Sequence, residues 1–229
     1  MSTATTPASS SPPFDRAAFD AGSKELLRDG RWANARVVRF NFGGADWVVK
    51  DFAPRFFWVR NTLGRLLLRR ELRALQRLAG IEGVPGDAFR IDQHAIAARY
   101  IPGVTLGNVS AEQLNASFFA ALERLLQQVH ARGIVHLDTR GTGNMLMTPE
   151  GRPALIDFQA SLGTWWMPLS WRRWLDDLDM TGVYKKWLQH DPESMGAERR
   201  ALYEYMTRRR RLWVARGYAG AAKQKRSDA

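Results

Sequence analysis

The chain of 229 residues has no cysteine. That removes disulfide staples and thiolate metal centres, and it suits a reducing compartment. It also lacks any run approaching the roughly 18 apolar residues that a membrane-crossing helix needs. The expectation is therefore a protein that stays in the cytoplasm, or lies peripherally on the inner membrane surface rather than crossing it. Acid is in short supply, with 23 Asp and Glu against 34 Lys and Arg, a formal charge of +11. Such an excess favours polyanionic partners, whether nucleotide phosphates, nucleic acid or an anionic membrane, although a solvated basic surface accounts for it equally well. Met1 to Pro13 carry no charge and no apolar core. They read as a disordered leader, not a signal peptide. What remains, 45% hydrophobic and 25% charged, is ordinary for a globular protein of one large domain or two small lobes.

Strand signals dominate the first hundred residues. Residues 25–27 and 35–42 read as strands, and Trp47-Val48-Val49-Lys50 returns as a hairpin partner over a Gly43-Gly44-Ala45-Asp46 turn. The spacing of Leu68, Leu72, Leu75 and Ala79 predicts a helix over 63–78, ended by Gly80. Two short strands are expected within 88–101, closed by Pro102-Gly103. Beyond them Phe118, Leu122, Leu125, Leu126 and Val129 mark a helix over 115–132, ended by Gly133. Short buried strands follow at 134–136, 145–147 and 154–156, and the remainder reads as helical, punctuated by Pro168 and Pro192.

Phosphoryl transfer asks for a cation on the nucleotide phosphates, oxygen ligands on a metal, and a base near the acceptor hydroxyl. The stretch from Ile134 to Leu146 places Asp138 and Asn144 in one loop between apolar strands. Asp157 then follows the apolar strand 154–156. Alone, each acid would be a turn residue. His136, after a buried strand, reads as a structural hydrogen-bonder rather than a proton carrier.

These residues resemble the motifs of the protein-kinase-like superfamily, nearest to small bacterial RIO-type and lipopolysaccharide (Kdo/heptose) kinase-like proteins. His136-Leu137-Asp138 through Asn144 resembles the catalytic loop, and Asp157-Phe158-Gln159 the magnesium-binding triplet, with Gln159 where ordinary protein kinases have glycine. Val48-Val49-Lys50 resembles the strand with the phosphate-binding lysine, Arg70 to Leu75 the helix whose glutamate pairs with it, and Ala98 to Gly103 the hinge. Asn144 follows Asp138 by six positions, one more than the family spacing; the nucleotide-covering loop has only Gly30, and no Ala-Pro-Glu follows Asp157. The resemblance implies an α+β, bilobal protein-kinase-like fold. After the leader at 1–13 it places a small β-rich N-lobe at 14–103 and a reduced, mainly helical C-lobe at 104–229. It implies ATP and Mg2+ as cofactors and Asp138 as catalytic base, with Arg140 beside the transferring phosphate. Asn144 and Asp157 become metal ligands. Lys50, Glu71, Gly30, Arg99 and Ile101 become the nucleotide site, the last two through their backbones.

Two stretches join arginine to aromatic residues. Between Asp51 and Glu71 stand five arginines and no acid, interleaved with Phe56, Phe57, Trp58 and leucines; Trp165 to Trp174 repeats the mixture. Tryptophan and arginine together are what an interfacial segment facing acidic lipid uses, yet tryptophan at helical spacing more commonly marks core. Both alternatives stand on sequence alone. The function expected is transfer of phosphate to a hydroxyl acceptor, on a lipopolysaccharide or other lipid-linked molecule. The rival enzyme is a RIO-like serine/threonine kinase, and the rival of another class a pseudokinase or membrane-adaptor module. A nucleic-acid partner is not expected, since no reading motif accompanies the charge.

Overall fold

The computed structural model of the protein describes residues 12–30, 34–141 and 143–209. The leader expected at 1–13 lies almost wholly outside the described residues, as does most of the basic tail that the sequence places at Arg208 to Arg211, Lys223, Lys225 and Arg226. The chain has an α+β fold with antiparallel sheets and divides into two compact units, Met1–Ala79 with Pro85–Tyr100, and Gly80–Val84 with Ile101–Ala229.

In the first unit α1 (Arg16–Ala21) precedes the strands β1 (Lys24–Asp29), β2 (Arg36–Phe42) and β3 (Ala45–Asp51). β4 (Phe89–Arg90) and β5 (Ala95–Arg99) complete an antiparallel sheet in the order β1-β2-β3-β5-β4. The β2–β3 hairpin closes through Gly43 and Gly44, at φ 61° and 74°; two consecutive left-handed residues match the strand twist and are open to glycine. Period-2 alternation then sorts the side chains. Trp47, Val49, Ala95 and Ala97 bury one sheet face against Phe14 and Phe19, while Ile96 joins Phe52, Leu68 and Leu72 in a second cluster on the side of α3 (Arg65–Arg77). Asp15 caps α1 by accepting from the Ala18 N–H, and Arg16 ties that helix to Asp51 at 2.8 Å and to Asp92 at 2.7 Å.

The helix expected over 63–78 begins earlier. α2 (Phe57–Val59) leads through a π-turn at Arg60–Gly64 into α3. Gly64 lies inside the helical run, and Phe52 packs where a Cβ would stand, 2.8 Å away. A π-turn inserts one residue and re-aims the side chains before it.

The second unit is built on two helices, α4 (Ala116–Ala131) and α5 (Leu169–His190). Asn115 caps α4 by accepting from Phe118 N–H at 3.1 Å. Its inner face, with Phe119, Leu122, Leu126 and Val129, is fully buried, and the Phe119 and Trp187 rings stack at 5.6 Å. Short strands cross the helices: β6 (Val104–Thr105), β8 (Met145–Met147) and β9 (Pro153–Leu155) form one sheet, and β7 (Ile134–Val135) pairs with β10 (Leu162–Gly163). Residues 197–209 are again helical. Arg199 from that segment and Tyr184 from α5 both hydrogen-bond Glu123 of α4, at 2.9 and 2.6 Å. Burial pushes the Glu123 carboxyl up, but the bonds from Arg199 and Tyr184 outweigh it and leave it below the usual glutamate range. Among the described residues no helix is long and apolar enough to cross a membrane.

Candidate active site

In the first unit Lys50 lies on the α3 side of β3, opposite Ile96 in the strand register. Its Nζ donates to Glu71 Oε1 at 2.6 Å, and both side chains are buried. An ion pair withdrawn from water adds little net stability, yet removing either partner strands the other charge at a cost of about 3–5 kcal/mol. Gly30 ends β1, and a Cβ there would meet the Ala35 carbonyl at 2.5 Å, so this glycine is fixed by the close approach of residues 34–35. The Arg99 N–H donates to Gly86 O at 2.9 Å, which restricts any ligand contact of that residue's backbone to its carbonyl. The Arg99 side chain faces elsewhere, on Asp87 and over the Trp47 ring at 4.3 Å. Ile101 begins the longer segment of the second unit.

In the second unit the loop after β7 is held from three directions. His136 is fully buried, and its Nε2 lies 2.9 Å from the Ile156 carbonyl. A carbonyl can only accept, so Nε2 carries the hydrogen and Nδ1 is left to accept from Asp138 N–H at 3.3 Å. His136 therefore bridges the residues beside both candidate acids. Ile156 N–H in turn donates to Asn144 O at 3.0 Å, which sets Asn144 next to the chain entering Asp157. Asn144 Nδ2 donates to Asp138 Oδ2 at 2.7 Å and to Asp138 O at 3.1 Å. With the amide nitrogen committed to Asp138, the side-chain oxygen of Asn144 is the atom that could serve a metal. Asp157 sits in the left-handed region at φ 63°, as does Leu137, also at φ 63°. Aspartate tolerates that region, whereas a leucine there is strained by an amount of order 1 kcal/mol or more.

What holds Leu137 is a residue the sequence reading did not single out. Asp179 of α5, buried, accepts from the backbone N–H of His136 at 2.6 Å and of Leu137 at 2.9 Å, and from His130 Nε2 at 3.0 Å. The Thr139 hydroxyl donates to the Asp179 carbonyl at 2.6 Å. Three residues on, and so on the same helix face, Gly182 lets the loop touch the helix: a Cβ there would stand 2.5 Å from the Thr139 carbonyl carbon. A buried-helix aspartate followed at i+3 by glycine was the available signal, but nothing in sequence says which loop it receives.

Arg140 is tied to α5 through Thr181 Oγ1 at 2.8 Å. Burial, then the charges of Lys185 and Arg140, hold the Lys186 ammonium below the ordinary lysine value.

The donor set fits a hard cation. Asn144 and Asp157 supply oxygens only, as magnesium requires, and that ion completes its shell with phosphate oxygens and water rather than with a protein cage. Among the described residues no group of three or more His, Cys, Asp or Glu is placed to hold a metal by itself. Asp138 is exposed and so open to a substrate. No family model matches the chain, and no curated protein matches it.

Proposed function

We propose that the chain is an ATP- and magnesium-dependent phosphotransferase of protein-kinase-like, bilobal type, acting on a hydroxyl acceptor. The observation that carries this reading is the joint fastening of Asp138, Asn144 and the chain entering Asp157 through His136, Ile156 and Asp179. Such fastening pre-positions a base and two oxygen ligands on rigid neighbours, which is most of what phosphoryl transfer asks of a protein. The buried Lys50–Glu71 pair adds a cation of fixed direction for nucleotide phosphates.

The reading gives the units different tasks. Lys50 neutralises phosphate oxygens, and Glu71 holds its ammonium in place. Asn144 and Asp157 hold magnesium, which when bound withdraws charge from the phosphates. Asp138 accepts the proton of the acceptor hydroxyl as that oxygen bonds to the γ-phosphorus; the bond from that phosphorus to the bridging oxygen breaks and ADP leaves with the electron pair. Arg140, with Lys186 nearby, offers positive charge to the phosphoryl group in transit.

The test separates binding from transfer. Calorimetry with ATP and magnesium should give binding to wild type and to Asp138→Ala alike, with transfer lost in Asp138→Ala, because a base on the acceptor contributes little to nucleotide affinity. Asp157→Asn should lose metal-dependent binding and transfer together. Labelling a membrane extract and a soluble lysate from ATP distinguishes a lipid-linked acceptor from a RIO-like protein substrate. Nucleotide binding with no transfer to either fraction would turn the reading into that of a pseudokinase, and no magnesium-dependent ATP binding at all would sink it.

A further inference from the structure

The outer face of residues 56–77 supports a conclusion that does not depend on the phosphotransferase reading. Phe56, Phe57 and Trp58 are 70%, 54% and 66% exposed, and Leu66 is 62% exposed. The Phe57 and Trp58 rings meet edge to face at 5.5 Å, forming one apolar knob rather than scattered side chains. On α3, Arg65, Arg69, Arg73 and Arg77 recur at every fourth position, and all four are exposed. At 100° per residue Leu66 falls within that stripe. The opposite face, with Leu68, Glu71, Leu72, Ala74 and Leu75, is buried in the unit's own core. Glu71 is the only acid between Asp51 and Glu82 in the sequence and it lies on the buried face, so the exposed side chains of this segment are basic, neutral or apolar. Like charges four apart weaken a helix on its own. An anionic partner would relieve that repulsion.

The occupant must therefore be anionic and must also take aliphatic and aromatic side chains. A second copy of the chain is disfavoured, because self-association would bring two arginine stripes together without an acid. Nucleic acid suits the arginines and could stack on the rings, but it offers nothing to Leu63 and Leu66, both exposed. An anionic bilayer satisfies all of them: headgroups meet the arginines, and the interfacial layer receives the rings and leucines.

We propose that the outer face of residues 56–77 docks on an anionic lipid surface. The second unit carries a separate patch of the same chemistry. Trp166 and Trp171 are 68% and 62% exposed, Leu169 and Arg173 are exposed, and the Trp165 ring is seated over Gly163. The sequence left this segment open between core and interface, and the structure places Trp165, Trp166, Trp171 and Trp174 on the surface. Arg55, by contrast, is bonded to Asp29 and to the Asn34 carbonyl and is not part of the docking face.

Co-sedimentation of the full chain with vesicles tests the proposal. Wild type should pellet with phosphatidylcholine vesicles containing about one-third phosphatidylglycerol at low salt and should ignore pure phosphatidylcholine. Each arginine near such a surface strengthens binding about fivefold, so Arg69→Gln/Arg73→Gln/Arg77→Gln should weaken low-salt binding on the order of a hundredfold. Phe57→Ser/Trp58→Ser should remove the part that persists at high salt, where Coulomb attraction is screened. Thermal melts matching wild type show that these losses are not unfolding; if the aromatic variant melts early, the arginine variant decides. The proposal is overturned if wild type stays in the supernatant with anionic vesicles. It is also overturned if both folded variants pellet like wild type, if polyuridine at equal phosphate strips the chain from vesicles, or if a lipid-free dimer disappears in both variants. ATP binding measured on the same samples bears on the phosphotransferase reading alone.

Discussion

Removing the Asp179 carboxylate should release the loop that carries Asp138. Asp179→Ala takes the acceptor from the backbone N–H groups of His136 and Leu137, now at 2.6 and 2.9 Å, and from His130 Nε2. His130 has a second carboxylate, Asp176, at 3.9 Å, and Thr139 keeps the Asp179 carbonyl. The two backbone donors have no such fallback. Leaving the buried His136 N–H unbonded costs about 1–3 kcal/mol, and the part-buried Leu137 N–H, which water can reach, costs less. Relaxation of the left-handed Leu137 returns part of that, on the order of 1 kcal/mol. Escape from burying a carboxylate returns a little more. A net loss of about 2 kcal/mol is expected. Asp179→Asn keeps one acceptor oxygen and should lose roughly half as much, since its NH2 cannot accept. Urea denaturation measures both losses. Hydrogen exchange at the His136 and Leu137 amides should accelerate in Asp179→Ala well beyond the change at the buried α4 amides. A loss below about 1 kcal/mol, or equal losses for Ala and Asn, would refute the anchoring role.

Two further outcomes follow from the same unit. Gly182→Ala gains about 1 kcal/mol of helix propensity, yet its Cβ would be driven against Thr139; net destabilisation by urea denaturation is expected, and a stabilised variant would show that α5 and the loop are not in contact. Glu123, held low by Arg199 and Tyr184 despite its burial, contributes stability that is complete above its ordinary value of 4.5 and is lost as pH falls through its depressed folded value. The stability gap between wild type and Glu123→Gln should therefore be widest near neutrality and shrink below about pH 4.5, and a gap that is constant or grows on acidification would contradict the assignment.

Much of the local structure was written in the sequence because it depends on near neighbours. Alternation along 36–42 and 45–51, joined by two glycines, dictates a hairpin whichever way the rest of the chain folds. Asn115 before an apolar period of 3.6 dictates where α4 begins. The parts that escaped depend on distant partners. Phe14 stands where the N-lobe was expected to begin, with nothing local to give it a role, yet it meets Phe40, Trp47 and Phe89 in ring contacts at 4.9 to 5.6 Å. Arg55 reads as one member of a basic run, and only the turn of β1 toward it supplies Asp29. The same distinction runs through the candidate site. Lys50 and Glu71 were legible as a strand-end cation and a helix anion, and their contact needs only that α3 cover β3, which the apolar stripe of Leu68, Leu72 and Leu75 already demands. Asp138, Asn144 and Asp157 were legible because β8 and β9 are joined by a short turn, so that pairing Met145 with Leu155 returns the chain to Asn144 just before Asp157. Asp179 was not legible, because its value lies in a loop 42 residues earlier in the chain whose backbone conformation no local rule predicts. The candidate residues could be read from type and spacing, while the residue that fixes the geometry of their loop could be read only from the fold. A search for positioning residues in such a chain should begin with buried polar groups on helices far in sequence from the reacting loop.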